Sequence, residues 1–230
     1  MALIQHNFKR LLGFHAVSQV GYMIVGIAIA PPLGIAAGLF HMINNALYKS
    51  GLFLSAGSVE KQTGKSDLDE VGGLSKNMPV TFLSAIIFAL AISGIPPLNG
   101  FASKWMIYQG IIDFGHSGTG IASQLWIVWL ALAVLGSALT LASFLKFISG
   151  IFLGGRKPEF DKIKEVNILM WLPKLLLALI CIGFGVFATT WVVPQFFEPY
   201  VGEFSFTGIW ESTAVAIFIL FSIILGIIVY

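Results

Sequence analysis

The sequence predicts an all-α polytopic membrane protein, and three observations carry that expectation. Of 230 residues, 57% are hydrophobic and 10% charged, with a mean hydropathy of +0.90; ordinary soluble domains are about 25% charged. The apolar residues form long runs at about 11–30, 33–59, 79–115, 124–153, 172–193 and 209–230, each long enough to supply the roughly 20 residues of a transmembrane helix. The 13 Lys and Arg and 11 Asp and Glu are mostly gathered into short stretches between these runs. So many long runs exclude an amphipathic anchor lying on the membrane surface. Cys181 is the only cysteine, which excludes disulfides within the chain and Cys-based metal cages. Residues 1–10 are not read as part of a cleaved signal, because the apolar run after them keeps polar groups and further spans follow. A net charge of +2 gives no ground for a nucleic-acid partner.

The first run carries His15, Ser18, Gln19 and Tyr22 at spacings that share a helix face. In the second, His41, Asn45 and Lys49 lie at i, i+4 and i+8, a polar stripe along an otherwise apolar helix. The third run is long enough for two short helices. Its middle reads Ser93-Gly94-Ile95-Pro96-Pro97-Leu98-Asn99-Gly100, where the prolines remove backbone donors and Gly94 and Gly100 admit unusual dihedrals. Basic residues decide how to count it, because cytoplasmic loops carry the excess of Lys and Arg. With one crossing, Lys9, Arg10, Lys61, Lys65, Lys76, Arg156, Lys157, Lys162, Lys164 and Lys174 all fall on one side. The opposite loops, around Pro31-Pro32, 116–123 and 194–208, then hold none, and Glu198 and Glu203 lie there. Two crossings would split the ten evenly. The expectation is therefore about six transmembrane helices, the one at 79–115 discontinuous, with both termini cytoplasmic.

The fourth run carries Ser137, Thr140, Ser143 and Lys146. Residues 154–170 form a charged connector, expected as a solvated cytoplasmic loop, with contact to a peripheral arm as the alternative. The last two runs are identified by hydrophobicity alone.

Three lysines, Lys49, Lys104 and Lys146, fall inside hydrophobic runs. A charge near the bilayer centre costs at least about 2.5 to 3.5 kcal/mol on insertion scales, so such a lysine normally faces a polar interior or a water-filled path. Lys146 is close enough to its helix end for snorkelling to the interface to explain it equally well; Lys49 and Lys104 lie deeper. Burial disfavours the charged form of lysine and a nearby anion favours it, so a buried lysine can take up and release a proton as its surroundings change. Histidine does the same near neutral pH. Polar residues in single helices often serve only as interhelical glue. Three stripes together with a helix break, which exposes backbone groups only where it lines a cavity, point instead to a proton or cation conduit through His15, His41, Asn45, Lys49, Lys104 and Lys146. No catalytic chemistry and no cofactor are expected in this chain. There is no nucleotide loop, and His6, His15, His41 and His116 lack carboxylate partners at metal-ligand spacing.

The run from Lys9 to Met23, KRLLGFHAVSQVGYM, resembles the family phrase KRLLAYHSVSQIGYM, and the run from Phe40 to Leu54, FHMINNALYKSGLFL, is similar to FHLINHALFKALLFL. LDEVGGL at 68–74 and SGIPPLNGFASK at 93–104 resemble the loop and broken helix of the same family. These motifs resemble the antiporter-like subunits shared by respiratory complex I, Mrp-type cation/proton antiporters and membrane-bound hydrogenase or sulfane-sulfur reductase complexes. The resemblance covers residues 9–155, expected as a partial repeat of four spans, with 156–230 holding the connector and two further helices.

In that family two inverted five-helix repeats, each with a broken helix, are linked at mid-membrane by buried Lys and His. The resemblance gives His41 and Lys49 the linking role and Lys104 the role of the lysine on the second broken helix. Asn45 stands where the family commonly has histidine, and asparagine does not titrate. Family members are roughly twice this length, so the expectation is a half-length subunit contributing one half-channel for H⁺, with Na⁺ as an alternative. The first repeat and any carboxylate partner of Lys49 and Lys104 would then come from another chain. The competing expectation is a degenerate, non-conducting scaffold between neighbouring subunits. Either would sit in a prokaryotic cell membrane among other antiporter-like and small membrane subunits, with a peripheral redox arm as a further candidate partner.

Overall fold

The computed structural model describes residues 1–29, 32–155 and 157–205. The expected span at 209–230, together with Pro31, Arg156 and Glu211, lies outside the described residues. Helices account for most of the chain: α1 (Phe8–Ile29), α2 (Pro32–Thr63), α3 (Pro79–Ser93), α4 (Asn99–Ser117), α5 (Ile121–Gln124), α6 (Trp126–Ile148), α7 (Ile168–Val186), α8 (Val193–Phe196) and α9 (Glu198–Val201). A π-helical turn, Ser149–Leu153, prolongs α6, and another, Ala188–Val192, leads into α8. No strand occurs among the described residues. The chain is an all-α membrane protein. Among the described residues, three helical stretches are long and apolar enough to cross a bilayer, Phe8–Ile29, Trp126–Leu153 and Ile168–Val186.

The 32 residues of α2 rise about 48 Å, well beyond a hydrocarbon core of about 30 Å. Polar residues along α2 lower its hydropathy, and they are buried: His41, Asn44, Lys49, Ser55 and Ser58 all face inward. A seam of small residues joins it to α1. A Cβ added to Gly26 would stand 2.8 Å from Gly38 Cα, and one on Gly38 would stand 2.8 Å from the Met23 carbonyl, so the two backbones approach as only glycine permits.

Contacts of α3 and α4 with α2 form one continuous antiparallel series. Thr81 and Ser58 share a partner in Lys174, Phe88 lies against Gly51, Asn99 bonds Asn44, Ser103 bonds His41 and Gly110 lies beside Gly34. As the α3–α4 number rises the α2 number falls, so the two half-helices run along α2 as one interrupted rod. The interruption has a defined end. Gly94 takes φ +81, and the amides of Gly94 and Ile95 turn back to the Ala91 and Leu90 carbonyls at 3.0 Å each, a Schellman arrangement that closes α3.

The outer faces of α1, α6 and α7 are apolar: Val17, Ile24, Leu132, Leu135, Leu176 and Leu179 are all exposed. The interior is divided. One apolar cluster gathers Leu11, Leu12, Leu52, Phe88, Phe147 and Cys181, the other Ile29, Leu33, Phe40, Met106, Ile111 and Val192. On α1, α2 and α4 the residues between the clusters are polar: His15 and Gln19, His41 and Asn44, Asn99, Ser103 and Lys104.

The 154–170 connector differs from a freely solvated loop. Asn77 Nδ2 donates to the Phe160 and Ile163 carbonyls at 3.1 and 2.9 Å, Phe160 and Val166 are buried, and the Glu165 carboxylate accepts from the Val80 and Thr81 amides that open α3. An apolar residue every few positions and a carboxylate at a helix N-terminus fold it back onto the bundle.

Gly100 tests this packing. A Cβ there would collide with the Ala91 carbonyl, whereas one on Gly13 meets nothing within 4 Å. Gly100→Ala is expected to cost about 1 to 3 kcal/mol through overpacking against backbone, and Gly13→Ala to be neutral or stabilising by up to about 1 kcal/mol; thermal midpoints of the purified protein measure both.

Candidate functional site

The site is built around the end of α3. A helix C-terminus leaves its last carbonyls without intrahelical partners, and lipid offers none. Ile95 and Gly94 amides serve Leu90 and Ala91; the Ile92 carbonyl accepts from Lys104 Nζ at 2.9 Å. Lys104 reaches back from the second turn of α4, fully within the bundle at 2% exposure. Its ammonium also donates to Ser137 Oγ of α6 at 2.9 Å and stands 4.8 Å from the centroid of the Tyr22 ring. Tyr22 donates to the Ala133 carbonyl, and Tyr108 Oη lies 2.8 Å from Ser137 Oγ. A cation at the negative end of a half-helix is favoured by the helix dipole and by the aromatic face.

One turn away, His41 bridges α1 and α4. Its Nδ1 lies 2.9 Å from Ser103 Oγ and its Nε2 3.1 Å from Gln19 Oε1, and Tyr48 Oη donates to the same Gln19 oxygen at 3.4 Å. Asn44 and Asn99 form a reciprocal clamp: Asn44 Nδ2 donates to the Asn99 carbonyl at 2.9 Å, and Asn99 Nδ2 to Asn44 Oδ1 at 3.0 Å. Asn99 Oδ1 also accepts from the Gly100 amide, at 2.9 Å, at the start of α4. The break is thus fastened to α2 by side-chain amides and to α3 by a lysine.

Lys49 is buried and donates to the Leu12 carbonyl of α1 at 3.0 Å. His15, one turn along α1 from Leu12, is buried with no hydrogen-bond partner for either ring nitrogen among the described residues. It packs against Phe144 with ring centroids 4.8 Å apart and lines a cleft of about 480 Å³ between α1 and α6, with Ser18, Thr140 and Ser143. Asn45 is half-buried and its Oδ1 is unpartnered among the described residues. Of the residues singled out from sequence, His41 and Lys104 join the layer at the break, which Gly94, Pro96, Pro97 and Gly100 line or form. His15 and Lys49 stand beside it on the α1 side. Lys146 is apart, its ammonium bound to the Leu3 and Gln5 carbonyls at 3.0 Å each.

Sequence spacing singled out Asn45, but Asn44 is the residue in the network. The signal was there: 41, 44 and 48 share a face at a 3.6-residue period. Lys174, counted among loop cations from sequence, lies within α7 and is fully buried. Its Nζ donates to Ser58 Oγ at 2.8 Å and Thr81 Oγ1 at 2.6 Å. Among the described residues the ion pairs are His6–Asp69, Lys9–Glu60 and Lys65–Glu70, so none involves Lys49, Lys104 or Lys174. The one described group with metal-ligand proximity, His6, Asp67 and Asp69, is on the surface, where close acidic groups are common without an ion.

Comparisons with known proteins agree with this architecture. The family model described as NADH:quinone oxidoreductase/Mrp antiporter, TM, matches residues 1–127. Formate hydrogenlyase subunit 3 of Escherichia coli (strain K12) is 36% identical over 207 residues, 84% of this chain and 34% of its own length. Na(+)/H(+) antiporter subunit A1 of Staphylococcus haemolyticus (strain JCSC1435) is 35% identical over 198 residues, 80% of this chain and 25% of its own. A chain of the membrane-bound sulfane sulfur reductase, an archaeal respiratory membrane complex, superposes with a TM-score of 0.85 at 28% identity, covering 100% of this chain and 38% of that one. This chain therefore spans about a third of the length of the first of these curated relatives and a quarter of the second.

Asn99 of α4 and Asn45 of α2 make a paired test. Asn99→Ala leaves the buried Asn44 Oδ1 without its donor and the Gly100 amide without its acceptor, and is expected to cost about 1 to 3 kcal/mol. Asn45→Ala removes an oxygen with no partner and is expected to stay within about 0.5 kcal/mol of the parent. Thermal midpoints in detergent distinguish them.

Proposed function

Since the chain belongs to the NADH:quinone oxidoreductase/Mrp antiporter transmembrane family, we propose that it provides a half-channel for H⁺, with Na⁺ as the alternative passenger, in an antiporter-like subunit of a multi-subunit energy-converting complex. The observation that carries the proposal is the polar layer between two apolar clusters, holding Lys104 and His41 at a helix break with Lys49 and His15 alongside. An insulating bundle has no use for two buried lysines without carboxylates, each at a cost of about 2.5 to 3.5 kcal/mol on insertion scales. In this reading protons pass between Lys49 and Lys104 by way of His15, His41 and water, with Asn45 a non-titrating lining residue. Gly94, Pro96, Pro97 and Gly100 keep the break open. Lys146 marks the end of the α6 stripe, where it fastens the N-terminal segment.

The membrane arrangement follows the same reading. The chain crosses about six times, α3 and α4 together making one crossing, in a prokaryotic cell membrane with both termini cytoplasmic. Residues 9–155 supply the partial repeat and 156–230 the connector and two further helices. The exposed apolar faces of α1, α6 and α7 meet lipid and neighbouring antiporter-like or small membrane subunits. Redox cofactors belong to other subunits, including a peripheral arm. The formate hydrogenlyase and sulfane sulfur reductase relatives are subunits of such complexes, which supports this division.

Lys49→Ala and Lys104→Ala, each made in the assembled complex, are expected to slow ion translocation by about tenfold or more, measured with a pH-sensitive dye in vesicles. Unchanged translocation in both would leave a non-conducting scaffold as the better account.

A further inference from the structure

Lys174 is not used by the pathway just described, yet it is the most completely buried lysine among the described residues, at 0% exposure. It sits where α2, α3 and α7 meet, at the end of the bundle that carries the 64–78 and 154–167 loops. An uncharged donor would tie Ser58 to Thr81 equally well without the cost of burying a cation. What distinguishes this lysine is where its bonds lead. Thr81 Oγ1 accepts from Lys174 Nζ at 2.6 Å and donates to Glu165 Oε1 at 2.6 Å. Glu165 is only half-buried, on the connector just before α7. A short, unbroken hydrogen-bond chain therefore runs from a solvent-reachable carboxylate through one hydroxyl to a buried amine.

The polar line continues inward. Ser84, one turn along α3 from Thr81, is buried with its hydroxyl unpartnered among the described residues. Ser55, one turn along α2 from Ser58, is also buried and bonds the Gly51 carbonyl at 2.8 Å. Lys49 lies six residues beyond Ser55, a rise of about 9 Å along α2.

We propose, on the premise that this chain translocates protons, that Glu165, Thr81 and Lys174 form a loading port at the loop-bearing end of the bundle. In the loading step a protonated Glu165 carboxyl gives its proton to Thr81 Oγ1 while the Thr81 hydroxyl proton passes to the neutral Lys174 amine. One O–H bond breaks and one forms at Thr81, an N–H bond forms at Lys174, and the products are a carboxylate, an unchanged hydroxyl and an ammonium. The loaded state has the ammonium donating to Thr81 and Thr81 to the carboxylate, across the 2.6 Å separations of the structure. Lys174 then discharges inward, along Ser84 and Ser55 toward Lys49.

The test uses the assembled complex in vesicles, an imposed pH step and an entrapped pH-sensitive dye. Lys174→Arg preserves the cation and its donors to Ser58 and Thr81, but arginine does not give up its proton. A purely structural staple therefore survives this change and a port does not. Lys174→Arg and Thr81→Val are expected to slow proton flux by about tenfold or more at unchanged complex yield, with Thr81→Ser close to the parent. Should either variant fail to assemble, Glu165→Gln keeps an acceptor for the Val80 and Thr81 amides without carrying a proton, and slowed flux is expected there too. Parental flux in Lys174→Arg, or in Glu165→Gln, overturns the port. If those variants conduct normally while Lys49→Ala and Lys104→Ala do not, the port alone is wrong. If all four conduct normally, the translocation reading fails with it.

Discussion

A helix that stops inside a bilayer leaves carbonyls that neither the helix nor lipid can satisfy, and the bundle is arranged around meeting that demand at the end of α3. The Schellman turn takes care of Leu90 and Ala91, and Lys104 Nζ takes Ile92. Because the donor to Ile92 is an ammonium rather than an amide, the solution to a backbone problem also places a titratable group at mid-bundle. Its second bond, to Ser137, and the Tyr22 ring bring α6 and α1 to the same point.

The rest of the interior follows from this placement. Polar groups at the break require polar neighbours, so α1 contributes Gln19, α2 contributes His41 and Asn44, and α4 contributes Asn99 and Ser103, each with a bonded partner. Apolar packing is pushed to either side, giving two clusters where a small helical bundle would have one. The opposite end of α3 is held by charge of the other sign. Glu165 accepts from its first amides, so the half-helix has an anion at its N-terminus and a cation at its C-terminus, the arrangement its dipole favours.

Most of this was legible wherever a polar residue interrupts an apolar run. Lys49, Lys104 and His41 stand out because they interrupt apolar runs far from the other charges of their helices, Glu60 and Lys61 in α2 and Asp113 in α4, and the two prolines between Gly94 and Gly100 announce the break by their missing donors. Spacing failed at finer resolution. A strict i, i+4 stripe passes through Asn45, whereas the face defined by His41, Asn44 and Tyr48 drifts with the true helical period and is the one that meets the break. Gln19, Asn99 and Ser103 could be named only as polar residues, since what they bond comes from other helices. Lys174 was misread as a loop cation because it follows Pro173 near the start of an apolar run; its partners, Ser58 and Thr81, are 116 and 93 positions away. The connector looked solvated from its charge content, which conceals that Glu165 has the α3 amides as partners.

The central claim is that the layer between the two apolar clusters is a wet, proton-exchanging path rather than polar mortar. A map of the assembled complex at a resolution that shows ordered water measures this most directly. The account predicts waters within hydrogen-bond reach of the His15 ring nitrogens, Lys49 and Lys104, joined in a chain from one lysine to the other. A dry interior, with apolar side chains closing the space between Lys49 and Lys104 and His15 unhydrated, would contradict it.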